Sequence, residues 1–438
     1  GTKKACLVER KTSDRLFFIF LSILLFPILI FYIIKISEFR RNAMLNFEYY
    51  TPTRIVFGKD SEKDVARLIL EYSAKKILLH YGGGSVKKTG LLERIKKALD
   101  ENGLQYVELG GVKPNPRLSL VYEGIELGKR EKVDFILAIG GGSVIDSAKA
   151  IAYGIKDEGD VWDFFAKKRL ATSALPIGVV LTIAAAGSEM SNSSVITNED
   201  GLIKCSYNDN LSRPKFAIMN PSLTLTLPDY QTACGCVDIL MHTMERYFVL
   251  GDAMEITDSI AEALMKTVIN NAKVLKRDSQ NYKARADVMW AGSLSHNGLT
   301  GCGQGNGDWA THGLEHELSA LYDVAHGAGL AAIWASWAQY VMSQDPKRFA
   351  QFAVNVFGVQ NNFHNSTATG LAGIEAWNQW CHAIGMPTSL AELGVNPSEE
   401  DILQMAQGAI DARGGDHAGN FMQLKTTDVQ QILRMALK

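Results

Sequence analysis

Three histidines, His312, His316 and His326, fall within fifteen consecutive positions of "DWATHGLEHELSALYDVAHGAG" (residues 308–329). They are a third of the nine in the chain, and Asp308 and Glu317 stand among them. Imidazole is the commonest metal-binding side chain, so this density raises the question of a cation. His312 and His316 are four apart and share one face of a helix. His326 lies fourteen residues past His312, about 21 Å along an unbroken helix, whereas the ligands of one cation each sit about 2 Å from it. His326 can join only where the chain turns back, and Asp323 with Gly327 and Gly329 supplies the means. Asp238 and His242 stand at the same i,i+4 spacing in "CVDILMHTMERY". A carboxylate in such apolar company is costly to bury without a partner. Spacing alone leaves two ligand sets open: Asp238, His242, His312 and His316, or the same set with His326 replacing one member.

A second chemistry is written in glycines. "ILAIGGGSVIDSAKAIA" (residues 136–152) reads as a strand, the turn Gly140-Gly141-Gly142, and a helix opening at Ser143. Glycines let a backbone approach a phosphate, and a helix N-terminus offers free N–H donors and a positive dipole end. The spacing is not that of the GxGxxG fingerprint. An earlier turn, "YGGGSVKKTG" (residues 81–90), also follows a strand. Ordinary NAD sites carry an acidic side chain there for the ribose 2′-hydroxyl. This turn has none, offering instead donors from Gly83, Gly84 and Ser85 with Lys87 and Lys88 just beyond. That pattern favours NADP(H) over NAD(H).

The elements that must position these residues fall into two kinds. From Met44 to Leu227, short apolar runs such as "TRIVFG", "KKILLHY", "LQYVELG" and "VDFILAIG" alternate with amphipathic helices. The first of these helices, "SEKDVARLILEYS", is expected to be capped near Ser61. Alternation on this scale predicts an α/β dinucleotide-binding domain, Rossmann-like, with a parallel sheet covered on both faces. From Asp229 onward almost only helical periodicity is found, as in "DSIAEALMKTVINNAKVLKR". The expected division is therefore an extension (1–43), an α/β domain (44–227) and an all-helical metal-binding domain (228–438). A cleft between the two domains would suit a small molecule.

Bulk properties narrow the function classes. The chain has 438 residues, 47% hydrophobic and 21% charged, with a formal net charge of −2 and no sustained basic run in its body. No nucleic-acid partner is expected. Six scattered cysteines without a CxxC pair suit free thiols in a reducing, cytoplasmic setting. "LFFIFLSILLFPILIFYII" (residues 16–34) carries no charge and is long enough to span a bilayer. It reads either as a dispensable stretch translated upstream of Met44 or as a real membrane anchor. The anchor reading carries a rival function with it, that of a membrane-tethered, non-catalytic scaffold.

Taken together, "YGGGSVKKTG", "GGGSVIDSAKAIA", "GSEMSNSSVITNE", "PDYQTACGCVD", "HTMERYF" and the histidine segment resemble the iron-containing (group III) alcohol dehydrogenases. The similarity is to the branch of NAD(P)H-dependent butanol dehydrogenases and aldehyde reductases, and runs from about Leu45 to the C-terminus. The resemblance implies dehydroquinate-synthase-like architecture, a homodimer, and reversible reduction of aldehydes. A polyol dehydrogenase of the same fold is the nearest enzymatic rival. It also implies a metal, Fe²⁺ or Zn²⁺, held by Asp238, His242, His312 and His326. His316 then stands beside the metal as a substrate contact or proton relay. Gly140, Gly141, Gly142 and Ser143 would hold the pyrophosphate. Thr182 and Ser188 would touch the cofactor, and Lys204 would touch its ribose. Asp146 would fix the loop, while Lys149 would do no more than solvate its helix face. Ala186 stands where the family commonly has a threonine.

Overall fold

The structure is a computed structural model and describes residues 45–251, 253–412 and 414–438. The hydrophobic run at 16–34 and the Met44 start lie outside the described residues. No helix among the described residues is long and apolar enough to cross a membrane.

Eight strands are found among the described residues, β1 (Arg54–Phe57), β2 (Lys76–Gly82), β3 (Gln105–Val112), β4 (Phe135–Gly140), β5 (Ile177–Leu181), β6 (Ser193–Asn198), β7 (Ile203–Asn208) and β8 (Phe216–Met219). Six of them form one sheet in the order β1-β8-β5-β4-β2-β3, with every pairing parallel. All residues of β4 and β5 are buried, as expected of central strands covered on both faces. The covering helices are α1 (Val65–Leu70), α2 (Ser85–Lys88), α3 (Leu91–Glu101), α4 (Leu118–Glu131), α5 (Gly142–Lys156) and α6 (Trp162–Phe165). They enclose one apolar cluster on each face of the sheet. The chain leaves β2 for β3 at one edge, but leaves β4 for β5 in the opposite direction. The ends of β2 and β4 therefore flank a topological switch point, where open α/β sheets bind ligands. Both glycine turns emerge there.

Two details depart from the sequence reading. The stretch from Ser61 begins with a single 3₁₀ turn, Ser61–Asp64, entered from Asp60 at φ 64°, and Ser61 provides no cap. A left-handed Asp60 redirects the chain before a side-chain cap can form. Between β5 and β8, the antiparallel pair β6–β7 stands as a separate two-stranded sheet. Its polar, turn-rich sequence does not carry the apolar run that marked the other strands.

From Asp229 on, nine helices among the described residues follow: α7 (Asp229–Tyr247), α8 (Glu255–Arg277), α9 (Tyr282–His296), α10 (Ala310–Tyr322), α11 (His326–Val341), α12 (Pro346–Phe357), α13 (Ser366–Ile384), α14 (Glu399–Asp411) and α15 (Thr426–Met435). They share one large apolar core that includes Trp334, Trp337, Trp377 and Phe248. Helix α7 runs through it with thirteen buried residues. Its C-terminal end is clamped by Arg348 of α12, which donates to the Tyr247 carbonyl from Nε at 2.8 Å and makes a two-pronged ion pair with Asp258. The guanidinium satisfies a carbonyl left over at the helix end. Removing one partner of such a buried pair typically costs about 3–5 kcal/mol. The clamp is one reason α7 can carry charged groups at a fixed place.

Candidate metal and dinucleotide site

Asp238 and His242 lie on consecutive turns of α7, and His312 lies on the first turns of α10. Helix α10 stops at Asp323, which takes a left-handed conformation at φ 50°. Three residues later His326 opens α11. The chain thus turns back, and the 21 Å problem disappears.

The ligand atoms of Asp238, His312 and His326 lie within 4.8 Å of one another. Asp238 Oδ1 is the hub. It lies 3.1 Å from His242 Nδ1, 3.8 Å from His312 Nε2 and 3.7 Å from His326 Nε2. The His242 and His312 rings are 4.7 Å apart. His316 stands outside this knot, its ring 5.8 Å from that of His326 and 6.4 Å from that of His312. Glu315, His316 and His326 form a second grouping of donor atoms, but it shares His326 with the first.

The donor set fits a cation. Asp238 Oδ1, His242 Nδ1 and His312 Nε2 are all buried, and none has a hydrogen-bond partner. Native interiors rarely leave such atoms orphaned, and three converging on one point are what a divalent ion satisfies. Burial pushes the His242 imidazole down to about 4, keeping it neutral and able to ligate at neutral pH. Burial opposes charge on Asp238, yet the imidazoles of His242 and His326 hold its carboxyl well below the usual carboxylate range. Against burial, the carboxylates of Asp238 and Glu245 on either side push His312 up to about 9. A cation at this point would take the place of a proton there.

Two residues that the sequence reading passed over complete the centre. Glu245 of α7 accepts from His312 Nδ1 at 3.0 Å, from the His312 backbone N–H at 2.9 Å and from the Trp309 N–H at 2.7 Å. Glu315 of α10 is fully buried, and its Oε2 accepts from His326 Nδ1. In both cases the carboxylate faces Nδ1, which would leave Nε2 available to a cation. The arrangement is a chain: Glu245 of α7 orients His312 of α10, and Glu315 of α10 orients His326 of α11. The signal was present as H-x-x-E, once at His242–Glu245 and again at His312–Glu315. Of the two acidic residues singled out in the segment, Asp308 is buried and accepts from the backbone N–H groups of Asn420, Phe421 and Ala310. Burial and the neighbouring Glu245 raise it to about 7. Glu317 lies off the site.

The dinucleotide candidates sit at the strand ends. Gly83 and Gly84 follow β2, and Ser85 and Lys87 belong to the four-residue α2. The Lys87 ammonium lies 5.2 Å from the centre of the Tyr81 ring. Gly140 ends β4, Gly141 precedes α5, and Gly142 and Ser143 are its first residues. A Cβ at Gly141 would lie 1.9 Å from Ile183 Cγ2, at Gly140 2.4 Å from Val144 Cγ2, and at Gly142 2.9 Å from Ala186. Close packing therefore requires these glycines even before a phosphate is considered. Thr182 follows β5 and donates its N–H to the Gly140 carbonyl at 3.0 Å.

The segment from Thr182 to Ser188 joins the two halves of the site. Ala186 rests on Gly142, the Ala184 carbonyl lies against Gly235 of α7, and Gly187 packs on His296 of α9. The His296 ring in turn lies 4.0 Å from that of His242. Asp146 and Lys149 of α5 hold the far end of this segment. Asp146 accepts from Ser188 Oγ at 2.5 Å and from the Val195 N–H at 3.0 Å. Lys149 is fully buried rather than solvating a helix face, because the Ser188, Ser191 and Ser193 carbonyls converge on its ammonium at 2.7–3.1 Å. The Ser188 hydroxyl is shared between these two side chains. Lys204, on β7, is buried against α10.

A parallel sheet with two glycine turns at its switch point, joined by a short segment to a buried Asp/His cluster, defines an oxidoreductase that pairs a dinucleotide with a metal. Comparison with known proteins gives the same class. Residues 52–221 match the family described as "Iron-containing alcohol dehydrogenase", and residues 232–437 match "Fe-containing alcohol dehydrogenase family, C-terminal". The chain is 39% identical over 396 residues to the probable NADH-dependent butanol dehydrogenase 2 of Bacillus subtilis, covering 90% of this chain and 100% of that protein. It is 36% identical to the NADPH-dependent aldehyde reductase YqhD of Escherichia coli, covering 81% and 91%. The solved structure of NADH-dependent butanol dehydrogenase A from Thermotoga maritima superposes with a TM-score of 0.87 at 40% identity, covering 91% of this chain and 100% of that one. The chain belongs to the iron-containing alcohol dehydrogenase family.

Proposed function

We propose that the protein is a metal-dependent alcohol dehydrogenase and aldehyde reductase that moves hydride between NAD(P)H and short- to medium-chain aldehydes such as butanal. The observation that carries this reading is the meeting of three orphaned, buried donor atoms, from Asp238, His242 and His312, with His326 Nε2 beside them. Those four residues would hold Fe²⁺ or Zn²⁺. When bound, the cation polarises a carbonyl and the nicotinamide supplies hydride to its carbon.

The chain's own residues do the rest. Gly140, Gly141, Gly142 and Ser143 would hold the pyrophosphate at the N-terminus of α5, and Thr182 lies next to that turn. Ser188 holds the joining segment in register with it. Gly83, Gly84, Ser85 and Lys87 would receive the 2′ end of the adenosine, and the lack of a carboxylate in that turn favours NADP(H). His316, partly exposed one helical turn beyond His312, is given the role of substrate contact or proton relay. We place the enzyme in a reducing, cytoplasmic setting, in keeping with its free thiols. We also take it to act as a homodimer, since β1 is an edge strand with Phe57 and Trp290 exposed beside it.

Anaerobic kinetics of the full chain, loaded with Fe²⁺ or Zn²⁺, test the reading. Butanal reduction that depends on added metal, runs faster with NADPH than with NADH, and exceeds glycerol oxidation at least tenfold is expected. Faster turnover of glycerol would support a polyol dehydrogenase. No turnover of either substrate by metal-loaded protein would overturn the assignment.

A further inference from the structure

Lys204 belongs to β7, outside the helices that carry the metal ligands, yet its side chain is only 5% exposed. Its ammonium donates to Asn115 Oδ1 at 3.0 Å, to Ser319 Oγ at 2.8 Å and to Glu315 Oε2 at 3.4 Å. A lysine ammonium has three N–H groups, so protein acceptors account for all of them. Glu315 Oε2 is also the atom that accepts from His326 Nδ1. Gly329 makes room for this carboxylate, since a Cβ there would lie 2.9 Å from Glu315 Cγ.

The surroundings of the ammonium are anchored too. Asn115 donates its amide to Asp323 Oδ1 at 3.0 Å, and Arg117 reaches the same oxygen at 2.9 Å. Asp323 is the residue at which α10 ends and the chain turns toward His326. Residues from the sheet half thus grip both the carboxylate behind His326 and the turn that brings His326 to the site.

We infer that Lys204 is a positioning residue of the metal centre, fixing the imidazole of His326 through Glu315 and making the β6–β7 hairpin part of what holds the metal. The inference rests on the metal site proposed above. A carboxylate this deep is costly without a cationic partner, and among the described residues Lys204 is the lysine or arginine paired with it. Without the ammonium, Glu315 loses one of the two groups that fix its orientation, and His326 loses its brace. Loss of such supporting contacts typically weakens metal binding about 10–100-fold. The family resemblance gives the same lysine to the cofactor ribose, and the two roles separate in an experiment.

Zn²⁺ dissociation constants, measured by competition with a chromophoric chelator, and NADPH dissociation constants, measured by fluorescence, would be compared for wild type, Lys204→Met, Lys204→Arg and Glu315→Gln. Lys204→Met is expected to weaken Zn²⁺ about 10–100-fold whether or not NADPH affinity also falls, and Lys204→Arg to recover part of the Zn²⁺ loss. The double variant with Glu315→Gln should be no worse than the weaker single variant, since both act along one path. Unchanged Zn²⁺ affinity in Lys204→Met, with or without lost NADPH affinity, overturns the inference. Wild type that binds no Zn²⁺ overturns the metal reading itself. If Lys204→Met does not fold, Ser319→Ala and Asn115→Ala take its place. Zn²⁺ held at least about threefold more weakly by either supports the inference, and unchanged affinity in both overturns it.

Discussion

The glycine turn after β4 and the histidine helices α7, α10 and α11 meet through the Thr182–Ser188 segment, yet they depend on sequence in opposite ways. The turn acts through side chains that are missing. At Gly140, Gly141 and Gly142 a single added carbon would collide with Val144, Ile183 or Ala186. The helices act through side chains that are present, aimed and braced, His312 held by Glu245 of α7 and His326 by Glu315 of α10. A turn built by omission tolerates no substituent but asks little of its neighbours. A cluster built by commission needs partners three helices wide, and the damage from a substitution depends on which layer it strikes.

The sharpest way to break this comparison is to remove a ligand. His312→Ala should abolish metal binding and lower turnover by about three orders of magnitude or more, since several kcal/mol of charge stabilisation disappears. NADPH binding, measured by fluorescence, should survive. Loss of both would show that the two halves are not separable. His316→Ala should keep its metal and lose about 100-fold in turnover, read by elemental analysis beside kinetics. A His316 variant that loses metal, with a His326→Ala variant that keeps it, would reverse the ligand assignment.

Gly141→Ala tests the other half. Its Cβ would meet Ile183 Cγ2 at 1.9 Å, and overpacking of this kind costs about 1–3 kcal/mol. Thermal unfolding should drop and NADPH affinity should fall, with metal content unchanged.

The smallest effect is expected away from both halves, at Glu317. Burial, with Asp411 nearby, pushes its carboxyl up to about 7, against about 4.3 in an unfolded chain. Between those values the unfolded chain ionises while the folded chain keeps its proton. Stability from this group is therefore full below about pH 4.3 and lost as pH rises through about 7. Glu317→Gln should raise the midpoint of thermal unfolding by about 2–4 °C at pH 8 and leave it unchanged near pH 4. An equal rise at both pH values would contradict this.

Much of this organisation is legible in the sequence. Long apolar runs mark β2 and β4 because central parallel strands are buried on both faces. The i,i+4 pairs mark α7 and α10 because a helix face has only that spacing. What stays hidden depends on contacts between distant segments. The β6–β7 pair is polar and turn-rich, so periodicity passes it by. Lys149 reads as a solvated lysine until the carbonyls of a loop some forty residues on converge on it. Glu245 and Glu315 carry a visible H-x-x-E spacing, but each serves a histidine on a different helix from its own. The spacing along the chain does not tell which histidine each serves, and the packing of α7, α10 and α11 does.

X-ray absorption at the zinc edge of Zn²⁺-loaded protein tests the central claim most directly. A first shell of nitrogen and oxygen at about 2.0–2.2 Å, with scattering from three imidazoles, is the predicted result. A sulfur neighbour near 2.3 Å, or scattering from one imidazole or none, would contradict it.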